Sequence, residues 1–411
     1  MNLCSPPPAQ PAALPPPDHR EFTARRSAAL AAAQAAGLDG LIVWGRGSTN
    51  VDGSADLLYL TNHLTAVSHI PDGPGNRARG HAGLILAPGC QPVLVTDSYD
   101  LDPSELGLSD VRLSTEVDMG VARAALDLGL GGKRLGLAGQ TGLLHSAAVC
   151  LARELGPATE LRPADHLLTR LRLVKSPHEV ALLREASRVG CGWMETMLAA
   201  ARPGRTEGEV VGEGLRWLAA AGGWAYDVAV ASGPFSHRYR HRQALPTWNS
   251  RRRLERGDMV HLDAWGPVAH GYFCDLTRST VVGAAPTDVQ RRVLEDTVEL
   301  VQTLVAAVRP GRTLGDVHAA GAAALARRGG DDSGFCAMIP FFGHSLGLEC
   351  ELPFITAHSE EVIAPGMVFA LECFLAAGAG TGAGFEHVVL VTSDGVELLT
   401  AGAVERPWAG A

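Results

Sequence analysis

The sequence predicts two successive domains, an α/β N-terminal domain and an α+β C-terminal domain built from two similar halves. Three observations lead there. Short apolar runs alternate with helical stretches between residues 21 and 168, which is the pattern of an α/β domain. A helix-capping signature at Lys175-Ser176-Pro177-His178-Glu179 then opens a long helix, and with it a second domain spanning 169–411. Within that second domain a set of short motifs recurs in order at a nearly constant offset. Residues 1–20 stand apart as a proline-rich arm, MNLCSPPPAQPAALPPP at its start. It lacks the basic start and apolar stretch of a secretion signal and reads as an extended segment.

The first domain reads as follows. Residues 21–37 form an alanine-rich helix ended by Gly37, and LDGLIVW at 38–44 gives a turn and a buried strand. Leu58-Tyr59-Leu60, residues 82–86 and residues 93–95 read as further short strands. A helix near 119–129 and a strand at 134–137 follow. No glycine-rich phosphate loop sits between a strand and a helix, so a nucleotide site is not expected. The second domain starts on the Ser176 cap, with Pro177 at the first helical position and Glu179 reaching back. Leu182, Leu183, Ala186, Val189, Trp193 and Met197 then form one apolar helix face.

Composition narrows the function classes. The 411 residues are 46% hydrophobic and 19% charged, ordinary for a globular protein large enough for several cores. A net charge of −9 gives no electrostatic support to nucleic-acid binding. The eight cysteines include no CxxC pair, which fits a reducing cytoplasm better than a disulfide framework. No apolar run reaches the length of a membrane span.

The repeat organises the second domain. RPGRTEGEV from Arg202 recurs as RPGRTLGDV from Arg309, an offset of 107. PFSH ending at His237 resembles FFGH ending at His344, again 107 later, and GDMV around Met259 resembles PGMV around Met367 at 108. Each first motif is a turn feeding a helix, with a threonine cap and an acid three residues on. Two α/β halves are expected, their sheets joining into one curved sheet.

The repeat also pairs acids. Met259-Val260-His261-Leu262 leads to Asp263, and Asp275 follows on what reads as the neighbouring strand. Taken alone, this stretch fits one buried structural aspartate and one surface aspartate equally well. In the second half the equivalent strands deliver Glu372 and Glu386, and His344 precedes them. If the halves face each other, four carboxylates and one imidazole converge. Four uncompensated buried anions are too costly, so a cation is required. Such O/N donors suit two divalent ions, Mn, Fe, Co or Zn, roughly 3.5–4 Å apart.

The assembled set resembles the pita-bread metalloenzymes: methionine aminopeptidase, Xaa-Pro aminopeptidase, prolidase and the creatinase-like proteins. The resemblance covers nearly the whole chain after residue 20. Arg25/Arg26, LDGLIVWGRGSTN and YLTN are similar to the creatinase-type N-terminal domain. LRLVKSPHEVALLREAS is similar to its junction helix. SGP at 232–234, GDMVHLD, GYFCDLTRST, GHSLGLECELP, PGMVFALECF and GFEHVVLVTSDG are similar to its catalytic landmarks. The resemblance implies Asp263, Asp275, His344, Glu372 and Glu386 as metal ligands, with Asp275 and Glu386 bridging, and a homodimer. It implies hydrolysis of an amide or peptide C–N bond in a small substrate or short peptide. Glu372 would shuttle a proton, and His241 (favoured) or His237 would steady the tetrahedral intermediate.

The departures bear on substrate. Family peptidases carry a second histidine seven residues beyond the liganding one, where this chain has Glu351. The usual Glu-Pro-Gly at the fourth ligand is Glu372-Cys373-Phe374. These features look more like the non-peptidase branch, which includes the dimethylsulfoniopropionate lyase. A metal-dependent lyase is therefore the alternative, and a non-catalytic binding module a third reading. Arg238, Arg240 and Arg242 alternate: they form a solvated edge, or Arg240 clamps a substrate carboxylate at the site mouth. Trp265 and Trp248 wall the pocket or pack the core. Glu351 accepts a substrate ammonium or caps the site, and Arg278 pairs with a ligand carboxylate.

Overall fold

In a computed structural model the chain is described over residues 18–47, 53–65, 73, 78–242, 244–328, 341–378 and 380–409. The proline-rich arm up to residue 17 and the Ser48-Thr49-Asn50 motif lie outside the described residues. The chain divides into two compact units that part after Arg172.

The first unit contains α1 (His19–Ala35), β1 (Gly40–Arg46), α2 (Ala55–Thr61), β2 (His81–Leu86) and β3 (Val93–Thr96). After these come α3 (Pro103–Leu106), β4 (Asp110–Leu113), α4 (Val117–Asp127), β5 (Arg134–Ala138), α5 (His145–Leu155), β6 (Glu160–Pro163) and α6 (Asp165–Leu173). One six-stranded sheet runs β4-β3-β2-β1-β5-β6, and Ile42, Ile85, Val95 and Leu135 pack its core with Val121 and Leu151. The expected strand at Leu58-Tyr59-Leu60 is instead helix α2. A short apolar run has no periodicity of its own. What fixes it here is docking: Arg25 Nη1 and Arg26 Nη1, on α1, donate to the Tyr59 and Leu60 carbonyls at 3.0 and 2.9 Å. Those carbonyls lie at the helix's C-terminal end, where cations are favoured.

The second unit begins with α7 (Pro177–Ala200), whose capping box joins Ser176 and Glu179 as the sequence predicts. Then come α8 (Glu207–Ala220), β7 (Asp227–Ser232), β8 (Met259–Ala269) and β9 (Tyr272–Val281). The second half supplies α9 (Asp288–Ala307), α10 (Leu314–Arg327), β10 (Gly343–Leu346), β11 (Cys350–Phe354), β12 (Val368–Ala376), β13 (Gly382–Val391) and β14 (Val396–Leu398). The repeat is visible in the helix starts. Thr206 and Glu209 cap α8 exactly where the duplicated motif places them, and Thr313 and Asp316 cap α10 in the same way. Each half has its own core, around Trp193, Met197 and Leu262 in one and around Val298, Phe369 and Phe385 in the other.

Among the described residues the halves do not share a continuous backbone ladder. One sheet runs β7-β8-β9 and the other β11-β10-β12-β13-β14. Their seam, between β9 and β13, is closed by side chains instead. Ser279 Oγ donates to the Gly384 carbonyl at 3.1 Å and accepts from the Gly384 amide at 2.9 Å. Arg278 Nη1 donates to the Glu386 carbonyl at 2.6 Å. The strands approach this closely because residue 384 has no side chain. A Cβ there would lie 2.6 Å from both His261 Cε1 and Thr277 Cγ2. Ala at an unstrained Gly position normally stabilises slightly. Gly384→Ala is expected to destabilise by about 1–3 kcal/mol through overpacking, read as a lower denaturation midpoint. An unchanged or raised midpoint contradicts the seam described.

Candidate metal centre

Strand parity places the acids. In the β8–β9 hairpin Asp263 lies opposite Thr277 and Trp265 opposite Asp275. Asp263 and Asp275 are thus diagonal neighbours on one face. Across β12 and β13, Glu372 lies directly opposite Glu386. His344 on β10 lies opposite Ala370, which shares a face of β12 with Glu372. The five side chains meet. His344 Nε2 is 3.5 Å from Asp275 Oδ2 and 3.8 Å from Glu372 Oε1. Oxygen atoms of Asp263, Asp275 and Glu386 lie within 4.8 Å of one another. Asp263 and Glu386 are 2% and 1% exposed.

The electrostatics show what this arrangement lacks. Burial pushes the Asp263 carboxyl up to about 6, against the pull of a hydrogen bond from Tyr239. Burial, then the charge of Asp263, pushes Glu372 up to about 8. Asp275 and Glu386 are held well above the carboxylate range, first by burial and then by the neighbouring acids. Among the described residues, Asp263 Oδ1 and both Glu386 oxygens are buried without a hydrogen-bond partner. Acceptors left this way inside a protein are expensive. A divalent cation answers both the missing donors and the repulsion, so the residues fit one. The imidazole fits as well. His344 Nδ1 lies 2.9 Å from the Ser345 carbonyl, which can only accept, so the proton is on Nδ1. Nε2 then turns its lone pair toward the acids, the tautomer a metal ligand needs.

The surroundings include residues that sequence reasoning passed over. The Tyr239 hydroxyl donates to Asp263 Oδ2. His261, two residues before Asp263 and therefore on the same face, is buried, and among the described residues neither ring nitrogen has a partner. Burial lowers its pKa to about 3, so it is neutral. Its ring meets Phe374 edge-on at 4.9 Å, and Tyr239 lies 5.5 Å away. The period of two along β8 was the available signal for His261. Tyr239 had none, because residues 233–241 form a single 3-10 turn of helix followed by a turn and bends rather than a strand.

Other expected residues sit as follows. Arg240 pairs with Asp227 at 3.1 Å and lies over the rings of Tyr239 and Trp265 at 5.4 and 5.8 Å. Arg238 and Arg242 are exposed. Trp265 is half-buried and stacks on Tyr226, whereas Trp248 packs against the first-half core. His241 is turned to other work. Its Nδ1 bonds Glu207 Oε1 at 2.9 Å and its Nε2 faces Asn249 Nδ2 at 3.3 Å. Glu207 is itself fully buried and also takes the Ser232 hydroxyl and the Asn249 amide. His237 Nδ1 accepts from the Gly380 amide at the β12–β13 turn. The turn-proximal pair Ala376–Gly382 is four residues from the Glu372–Glu386 pair, roughly 13 Å along the strand. Among the described residues, these hydrogen bonds join neither histidine to the five converging side chains.

Two further expectations need correction. Glu351 is not available for a substrate ammonium: its Oε2 pairs with buried Lys175 at 2.9 Å and its Oε1 accepts from the Leu348 amide. Arg278 does not reach a ligand carboxylate. Parity turns it to the opposite face of β9 from Asp275, where it bonds the carbonyls of Thr277, Glu386 and Val404. It fixes strands rather than charge.

Known proteins give an independent view of this centre. The model of metallopeptidase family M24 matches residues 181–393, which contain all five converging side chains. The Xaa-Pro dipeptidase of Pyrococcus furiosus is 30% identical over 266 residues, 64% of this chain and 73% of its own. The probable dipeptidase PepE of Mycobacterium tuberculosis is 31% identical over 397 residues, 91% of this chain and 93% of its own. Among solved structures, dipeptidase PepE from Mycobacterium ulcerans superposes with a TM-score of 0.75 at 27% identity, covering 94% of this chain and 97% of that one. A family match over more than half of the sequence, and a relative alike across nine-tenths of it, agree with the metal-dependent hydrolase that the duplicated acids imply: this protein belongs to metallopeptidase family M24.

Proposed function

We propose that the protein hydrolyses the peptide bond of dipeptides and other short peptides, Xaa-Pro substrates among them. The reading rests on two divalent ions held by Asp263, Asp275, His344, Glu372 and Glu386. The observation that carries it is the buried donor cluster with orphaned oxygens on Asp263 and Glu386. Bound there, the ions would polarise the scissile carbonyl and activate water. Manganese is the first ion to try, since the oxygen-rich donor set suits a hard cation. The relatives named for dipeptidase activity support the substrate class.

The protein's own groups have definable parts. Glu372, with a 15% exposed side chain and a carboxylate oxygen to spare beyond the one that would hold an ion, is suited to carry a proton to the leaving nitrogen. Tyr239 orients Asp263 through its hydroxyl. Arg240, beside Trp265 and with a 34% exposed side chain, would draw a peptide carboxylate toward this face. A homodimer and a cytoplasmic location belong to the same proposal. Among the described residues no helix is long and apolar enough to cross a membrane. The lyase alternative draws no support from the relatives named above.

Metal-reconstituted protein should release free amino acids from Xaa-Pro dipeptides and incorporate oxygen from labelled water. Asp275→Ala is expected to lower kcat/KM by about a hundredfold or more. Unchanged turnover in that variant rejects the proposal, and an unlabelled alkene product would move it to elimination.

A pH prediction follows from the raised carboxyls. Glu372 binds its proton more tightly when folded (about 8) than when unfolded, near about 4.3. Its contribution to stability is complete below the unfolded value and is lost as pH rises through 8. Asp275 and Glu386, raised in the same direction, act with it. The depressed histidines, His261 among them, act oppositely but only below their unfolded value of about 6.5. Metal-free protein should therefore lose thermal stability between about pH 6.5 and pH 8.5. Added Mn²⁺ should restore more at the upper end. A flat or rising Tm in the metal-free protein contradicts this.

A further inference from the structure

We propose that Cys350 is an additional metal-ligating side chain, which gives one side of the centre a preference for thiophilic divalent ions such as Zn²⁺ or Co²⁺. The inference rests on the metal-centre reading above. Its geometry is separate from the five-residue set. Cys350 opens β11, paired with Leu346 across the turn that follows His344. The Phe273 amide donates to the Gly347 carbonyl of that turn at 2.8 Å, which pins the turn beside the start of β9. Cys350 Sγ is thereby 3.6 Å from Asp275 Oδ2.

Donor atoms of Asp275, His344 and Cys350 all lie within 4.8 Å of one another, as do those of Asp263, Asp275 and Glu386. The two trios share Asp275 and differ in character. One offers sulfur, nitrogen and oxygen, and the other offers only oxygen. The second trio holds the orphaned buried oxygens of Asp263 and Glu386, which independently mark this place as one that takes a cation. Cys350 is exposed as a residue, being on an edge strand, and its Sγ lies against Asp275 Oδ2. A metal-bound thiol is deprotonated, its proton passing to solvent, and thiolate selects Zn²⁺ where carboxylates suit Mn²⁺.

The test compares full-length wild type with Cys350→Ser and Cys350→Ala, each checked for folding by circular dichroism. Wild type loaded with Co²⁺ should show a thiolate-to-cobalt charge-transfer band in the near ultraviolet that both variants lack. Zinc X-ray absorption of wild type should show a sulfur neighbour at about 2.3 Å. Zn²⁺ affinity should fall by about tenfold or more in the variants, while Mn²⁺ affinity stays within about twofold. Bound Co²⁺ and Zn²⁺ with identical oxygen and nitrogen shells in wild type and variants would overturn the role of Cys350 alone. Failure of wild type to bind any of the three ions would overturn it together with the reading beneath it.

Discussion

Mutual repulsion among buried carboxylates is the constraint on which the catalytic unit depends. Two unit charges 4.8 Å apart repel by about 3 to 4 kcal/mol at an effective dielectric constant of about 20. The Asp263, Asp275 and Glu386 trio alone would then cost about 10 kcal/mol if fully ionised, comparable with the whole stability of a domain. The fold therefore holds these groups protonated or holds cations among them. Strand pairing and the contacts between the sheets hold the acids close together. Asp263 and Asp275 stand on one hairpin, Glu372 and Glu386 stand opposite each other on another, and the seam between them is closed by Ser279, Arg278 and the missing side chain of Gly384.

That rigidity explains why so many polar side chains here hold structure rather than substrate. His241 is locked to Glu207 and Asn249, Lys175 to Glu351, and Arg278 to three carbonyls. The Lys175–Glu351 pair is instructive. Breaking such a buried pair typically costs about 3–5 kcal/mol because one charge is left alone. Glu351 stands where the resemblance called for a second histidine. In this chain that position braces the β10–β11 turn, and the same turn carries Cys350 toward Asp275.

Much of this was legible in the sequence, because the signals were periodic or local. The capping boxes at Ser176, Thr206 and Thr313 depend on residues three apart, and all three form. The alternation of strand side chains put Asp263 and Asp275 on one face, and the repeat brought Glu372, Glu386 and His344 to meet them. What was not legible depends on turns and on long-range partners. Tyr239 reaches Asp263 from an irregular segment, and Lys175 meets Glu351 from 176 residues away. Leu58-Tyr59-Leu60 became helical because two arginines of α1 dock on its carbonyls. The two sheets remained separate because hydrogen bonds to side chains, not a backbone-to-backbone ladder, close their seam.

The central claim is that the converging acids exist to hold cations, and metal stoichiometry tests it most directly. Chelator-treated protein dialysed against Mn²⁺ and then analysed for metal should retain close to two ions per chain, and Glu386→Gln should retain clearly fewer. Retention of no ions by wild type, or equal retention by the Glu386 variant, would contradict the account.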